Sequence, residues 1–138
     1  MTTGPPATPL VRKIGVQEGH RVALVHAPAG WSLGVVPAGA TVRRSAARPP
    51  FDVIVAFFGA LDRLESDVAP LASAITPAGA LWVAWPRLAA GHQSDITDNA
   101  VRSMILPLGL VDVKVAALGE DWSGLKTVWR TSLRPRPG

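Results

Sequence analysis

The sequence contains no cysteine and no tyrosine, and only 17% of its 138 residues are charged. Without cysteine there can be no disulfide, iron–sulfur cluster, thiolate zinc site or cysteine nucleophile. Long apolar runs are missing too: the longest, Ala78 to Pro86, falls far short of the roughly 20 residues a membrane span needs. The N-terminus has no basic segment followed by an apolar run, so no secretory signal is expected. The expectation is a soluble cytoplasmic protein without a membrane partner. What is present is apolar: 48% of the residues are hydrophobic. A chain of this length makes one domain and buries roughly 68–70% of its unfolded surface, enough for a core without metals or cross-links.

Acidic residues are scarce only at the two ends. Lys plus Arg is 14 and Asp plus Glu is 10, a net charge of +4, and the pI of 10.7 invites a nucleic-acid reading. Yet Arg12, Lys13, Arg130, Arg134 and Arg136 are terminal and have no acid beside them, which leaves nine basic and ten acidic residues over 14–129. The ends are also rich in proline and glycine, so 1–13 and 131–138 are expected to be disordered tails around a domain of residues 14–130. Inside the domain one basic cluster remains, Arg43, Arg44 and Arg48. No helix shows a basic face and no strand alternates basic with aromatic residues, so nucleic-acid binding is not expected of the domain itself. Weak binding through the basic tails is the remaining route to such a partner.

Apolar segments alternate with turns along the chain. Arg21–Ala27 reads as a buried strand, and Pro28, Gly30 and Gly34 then allow at most a turn or two of helix over 31–36. A more polar strand over 41–46 belongs near a sheet edge. Phe51–Phe58 is apolar enough to be covered on both faces. Leu61, Leu64, Val68, Leu71 and Ile75 fall at helical spacing with Asp62, Arg63, Glu65 and Asp67 opposite, and Pro70 is expected to kink or divide that helix. A strand over 80–86 follows Pro77 and Gly79. Asp95 or Thr97 caps a helix whose inward face is Val101, Met104 or Ile105, and Leu108. Strands over 110–118 and 125–130 close the chain as an antiparallel hairpin. This alternation specifies an α/β fold: a single three-layer Rossmann-like domain with a mainly parallel six-stranded sheet, order 2-1-3-4-6-5, and an antiparallel last strand.

Phe51–Phe58 with its helix, Pro77-Ala-Gly-Ala-Leu-Trp-Val83, and the terminal pair 111–118 and 125–130 together resemble a truncated class I methyltransferase. The strings Trp82-Val-Ala-Trp-Pro86, Gly109-Leu-Val-Asp-Val-Lys114 and Asp121-Trp-Ser-Gly-Leu125 resemble a family of short bacterial proteins known as a domain of unknown function. The second resemblance implies a fold and little else. The first implies S-adenosylmethionine as cofactor, but the residues depart from its pattern. An acid and a Gly-x-Gly turn belong after the first strand, where this chain reads His26-Ala-Pro-Ala-Gly-Trp-Ser-Leu-Gly34. An acid for the ribose hydroxyls belongs after the second strand, where this chain has Arg43 and Arg44. One early strand–helix unit is missing, and Phe57-Phe58-Gly59 replaces the Asn/Asp-Pro-Pro-Tyr motif that activates an amine.

Other chemical motifs in the chain also have plain structural roles open to them. Gly30-Trp-Ser-Leu-Gly34 matches G-x-S-x-G, with Asp52, Asp62 or Asp67 and then His92 following in hydrolase order. It stands after the first strand, however, with Pro28-Ala29 between strand and turn, so a glycine-punctuated turn with Trp31 as a lid accounts for it better. Arginine after a second strand can accept an adenosine-ribose phosphate. Neighbouring strand residues point to opposite faces, so at most one of Arg43 and Arg44 is expected to line a ligand crevice. His20 and His26 belong at opposite ends of the first strand, with no acid or histidine at i+3 or i+4, and no metal site is expected. Trp82 and Trp85, three apart, face opposite sides of their strand.

In open α/β sheets ligands bind outside the carboxyl ends of the strands. The candidate ligand-binding residues there are His26, Gly30, Trp31, Arg43, Arg44, Gly59, Trp85, Arg87, His92 and Asp95. An intact scaffold without the acidic and glycine-rich groups of cofactor chemistry reads as a non-catalytic module, with no cofactor, that binds a protein partner or a small anionic ligand. The alternative is an enzyme using S-adenosylmethionine or a dinucleotide through unusual contacts.

Overall fold

The computed structural model describes residues 9–87, 91 and 93–130. His92 and most of the two expected tails, 1–8 and 131–138, lie outside the described residues. The chain runs α1 (Leu10–Ile14), β1 (Arg21–Val25), β2 (Thr41–Arg43), β3 (Phe51–Phe57), α2 (Leu61–Ser73), β4 (Ile75–Pro86) and α3 (Asp98–Ile105). A 3₁₀ turn over Leu106–Leu108 leads to β5 (Leu110–Ala117) and β6 (Trp122–Trp129). The six strands form one sheet in the order β2-β1-β3-β4-β6-β5. Strands β2, β1, β3 and β4 are parallel, and β6 runs antiparallel to both β4 and β5. This is the expected Rossmann-like order with its antiparallel closure.

Alternation along the central strands sends side chains to two cores. Ala23, Ile54, Ala56, Leu81, Val83 and Trp85 face one core, under α2 and α3. Val22, Leu24, Val53, Val55, Trp82 and Ala84 face the other. Leu64, Val68 and Leu71 supply the inward stripe of α2, each burial stabilising by about 1.5–3 kcal/mol. Thr97 caps α3, its side chain accepting from the Ala100 N–H at 3.1 Å. Three-residue β2 is exposed throughout, as an edge strand should be.

The second core has an unusual cover. Parallel neighbours need a crossover connection, usually a helix, yet residues 26–40 between β1 and β2 contain none. Instead Trp31 and Leu33 of this irregular segment join α1 to close that face. Helix α1 replaces the expected tail over residues 10–13: Ile14 is fully buried, and its carbonyl accepts a 3.0 Å hydrogen bond from the Trp82 indole. Apolar spacing at Leu10, Val11 and Ile14 outweighs the neighbouring prolines.

Three further boundaries moved. Pro70 lies inside α2, which runs unbroken to Ser73. Placed in the last turn, it forfeits one N–H bond to the Ser66 carbonyl and little else. Strand β4 starts at Ile75 and not at Ala80, because Ile75 pairs with Phe51 before the register shifts. Gly79 permits that irregularity: a Cβ there would meet Thr76 Oγ1 at 2.8 Å and the Asp52 carbonyl at 2.9 Å. Strand β6 starts at Trp122, pairing Pro86 of β4 with Trp122 and Ala117 of β5 with Ser123. No described helix is long and apolar enough to cross a membrane.

Candidate functional site

The chain reverses direction across the sheet between β1 and β3, which makes their carboxyl ends the topological switch point where α/β sheets take ligands. A cleft of about 400 Å³ opens there. Phe57, Phe58 and Trp122 form its aromatic floor, Gly59 and Ala60 lead into α2, and His26 and Arg63 are its ionisable lining. Phe57 stacks edge-on against Trp122 at 5.1 Å, and His26 stands edge-on to Phe58 at 6.0 Å.

His26 is the one described non-glycine residue with positive φ, at 57°. Side chains pay for that conformation. It turns the chain sharply off β1 and brings the imidazole Nε2 to 3.5 Å from Asp67 Oδ2 on α2, an ion pair when the ring is protonated. Arg63 and Asp67 stand one helical turn apart, so the helix presents a guanidinium and a carboxylate to the same end of the sheet. Neither is among the ligand-binding candidates of the sequence, where Asp67 figures only as a possible acid in the hydrolase order. The signal was present: α2 begins directly after β3, so the polar side of its first two turns must overlook the strand ends.

Trp31 closes the neighbouring space. Its indole, 9% exposed, stacks edge-on against Phe57 at 4.8 Å and donates from Nε1 to the Leu118 carbonyl at 2.8 Å. A smaller cleft of about 240 Å³ remains beside Gly30, Trp31, Leu118 and Trp122. Ser32 of the G-x-S-x-G string is no nucleophile elbow: residues 31–36 form no helix, and its Oγ accepts from the Gly34 N–H at 3.0 Å.

The other candidates separate. Gly59 lines the switch-point cleft, whereas Trp85 is buried in the α2/α3 core. Arg87 donates from its backbone to the Asp121 carbonyl at 2.9 Å and from its guanidinium to the Glu120 carbonyl at 3.1 Å, holding the β5–β6 turn. Asp95 Oδ1 accepts the Leu61 N–H at 2.9 Å and thereby caps α2 from a distant loop. Arg43 and Arg44 line a separate cleft and share it, contrary to the expectation from strand alternation. The strand ends at Arg43, so Arg44 escapes the alternation rule. No group of three or more potential metal ligands is gathered among the described residues.

Comparison with solved structures places the fold among S-adenosylmethionine-dependent methyltransferases. TrmN from Thermus thermophilus matches with a TM-score of 0.55 and 15% identity over 88% of this chain and 47% of its own. Magnesium protoporphyrin IX methyltransferase from Synechocystis, with bound SAM, matches with a TM-score of 0.60 and 10% identity over 88% of this chain and 74% of its own. A SAM-dependent methyltransferase from Aquifex aeolicus matches with a TM-score of 0.52 and 12% identity over 86% of both chains. This chain thus spans about half the length of TrmN. No family model matches it, and no curated protein does. The fold is the Rossmann-like fold of class I methyltransferases.

The adenosyl cofactor of that fold class does not fit the residues present. S-adenosylmethionine carries a sulfonium and an ammonium against one carboxylate, whereas the ionisable lining of the switch-point cleft is His26 and Arg63. No helix N-terminus follows β1 to hold a pyrophosphate or carboxylate. The loop that would approach the cofactor is instead committed to the core through Trp31.

Proposed function

We propose that this chain is a non-catalytic module of the methyltransferase fold that binds a small anionic ligand with an apolar body at the carboxyl edge of its sheet. The make-up of the switch-point cleft carries this reading: an aromatic floor of Phe57, Phe58 and Trp122 under His26 and Arg63. Its volume of about 400 Å³ lies in the range of small-ligand sites. No hydroxyl, thiol or amine side chain lines it. The N-terminal end of α2 already meets the Asp95 carboxylate at the Leu61 N–H, so His26 and Arg63 carry the attraction for the ligand's charge.

A rival reading, an enzyme using S-adenosylmethionine or a dinucleotide, is favoured by the fold match. Thermal unfolding separates the two, because a ligand that binds only the folded state raises Tm. Millimolar phenyl phosphate or benzoate raises Tm by several degrees in the parent chain and not in Arg63→Ala, while S-adenosylmethionine and NAD leave it unchanged. Stabilisation by either cofactor, with none by the anions, would overturn the proposal.

A further inference from the structure

We propose a second anion site, distinct from the switch-point cleft, in which Arg43, Arg44 and Arg48 bind the contiguous phosphate groups of an oligophosphate. The three arginines, with Ser45 and Ala47, line a cleft of about 380 Å³ at the end of β2. No acidic residue lines it, and none of its lining residues belongs to the switch-point cleft.

Four other arginines of the fold have engaged guanidinium groups. Arg102 is paired with Asp98 and Asp112. The Arg21, Arg87 and Arg130 guanidinium groups donate to backbone carbonyls. Among the described residues, the Arg43, Arg44 and Arg48 side chains have no ion pair and no hydrogen bond. Three like charges gathered on six residues of chain repel one another, so an unsatisfied cluster of this kind is stabilised by a polyanion.

The loop that carries them is held in place. Ser45 Oγ accepts the Ala47 N–H at 3.0 Å, and Ala46 packs against the core. The Arg21 guanidinium lies 4.7 Å over the Phe51 ring and donates to the carbonyls of Arg48 and Pro50. Arg21 thus anchors the loop backbone and leaves the Arg48 side chain to the cleft. Fixing the backbone in advance lowers the ordering cost of binding. Guanidinium forks match phosphate oxygens in pairs. No aromatic side chain lines the cleft to stack a base, so recognition goes through the phosphates alone.

Calorimetric titration of the full chain with inorganic tripolyphosphate tests this. The parent chain binds it, and the triple variant Arg43→Ala/Arg44→Ala/Arg48→Ala loses affinity by at least about a hundredfold, each arginine contributing about fivefold to tenfold. The substituted side chains are exposed and without partners, so the variant unfolds at a temperature no lower than the parent's and loss of binding is not loss of fold. The charge-conserving triple lysine variant also binds more weakly, which simple electrostatic attraction does not produce. Unchanged affinity in the alanine variant overturns the proposal. So does a loss of binding that follows Arg134→Ala/Arg136→Ala instead, since that assigns the anion to the basic tail. Binding of a single-stranded oligonucleotide with none of tripolyphosphate also overturns it.

Discussion

The indole of Trp31 donates a 2.8 Å hydrogen bond to the carbonyl of Leu118, joining the loop after the first strand to the turn before the last across 87 residues of chain. This bond, with the edge-on contact to Phe57, does the work that a crossover helix does elsewhere in the fold class. Trp31→Phe keeps a ring but leaves the Leu118 carbonyl without this partner, at a cost of about 1–3 kcal/mol. Trp31→Ala also removes the ring and costs about 3–5 kcal/mol. Urea unfolding of both variants checks the order. Equal stability of the two would mean that the ring itself contributes nothing.

Gly124 of β6 lies under Leu118 and Trp82. A Cβ at this position would stand 2.5 Å from Leu118 Cδ1 and 3.0 Å from Trp82 Cε3. Trp82 is fully buried and fixed by its bond to Ile14, so it has little room to give. Gly124→Ala therefore destabilises by about 1–3 kcal/mol through overpacking, although alanine has the better strand propensity. A denaturation midpoint at or above that of the parent contradicts this packing.

One ion pair sets a pH dependence. Arg102 donates from Nε to Asp112 at 2.8 Å, and that hydrogen bond holds the Asp112 carboxyl below its ordinary value of 3.8. The folded carboxyl then binds fewer protons than the unfolded one, so its contribution is present above the ordinary value and is lost as pH falls through the lower folded value. The stability gap between the parent and Asp112→Asn is therefore full at about pH 6 and closes below about pH 4. Urea midpoints at several pH values measure it. A gap of constant size across this range contradicts the assignment.

The positive φ of His26 gives an ordering of variants. His26→Ala and His26→Gly both lose the imidazole and its contact with Asp67, but alanine keeps the left-handed strain and glycine does not. The glycine variant is more stable than the alanine variant by about 1 kcal/mol. Both lose anion binding at the switch-point cleft. Thermal unfolding ranks the two, and the reverse order would falsify the backbone account.

Much of the architecture was legible because periodicity speaks directly about burial. Val22 to Val25, Phe51 to Phe57 and Leu81 to Trp85 read as buried strands and are; Leu64, Val68 and Leu71 read as an inward stripe and are. Even the opposite facing of Trp82 and Trp85 follows from their spacing. Long-range contacts were less legible. Nothing local says that Ile75 pairs with Phe51, that Asp95 caps a helix 34 residues earlier, or that α1 docks under Trp82. The site was half legible: His26 and Gly59 follow from strand ends, but Arg63 enters through the placement of α2, and Arg44 joins Arg43 only because β2 is short.

On the proposed function, the switch-point cleft takes an anion and not the adenosyl cofactor of its fold class. Amide chemical shifts of ¹⁵N-labelled full-length chain, titrated in parallel with phenyl phosphate and with S-adenosylmethionine, test it most directly. Saturable shifts are expected at His26, Gly59, Ala60 and Arg63 with phenyl phosphate and none there with S-adenosylmethionine. Saturable shifts at those amides with S-adenosylmethionine, and none with phenyl phosphate, would contradict it.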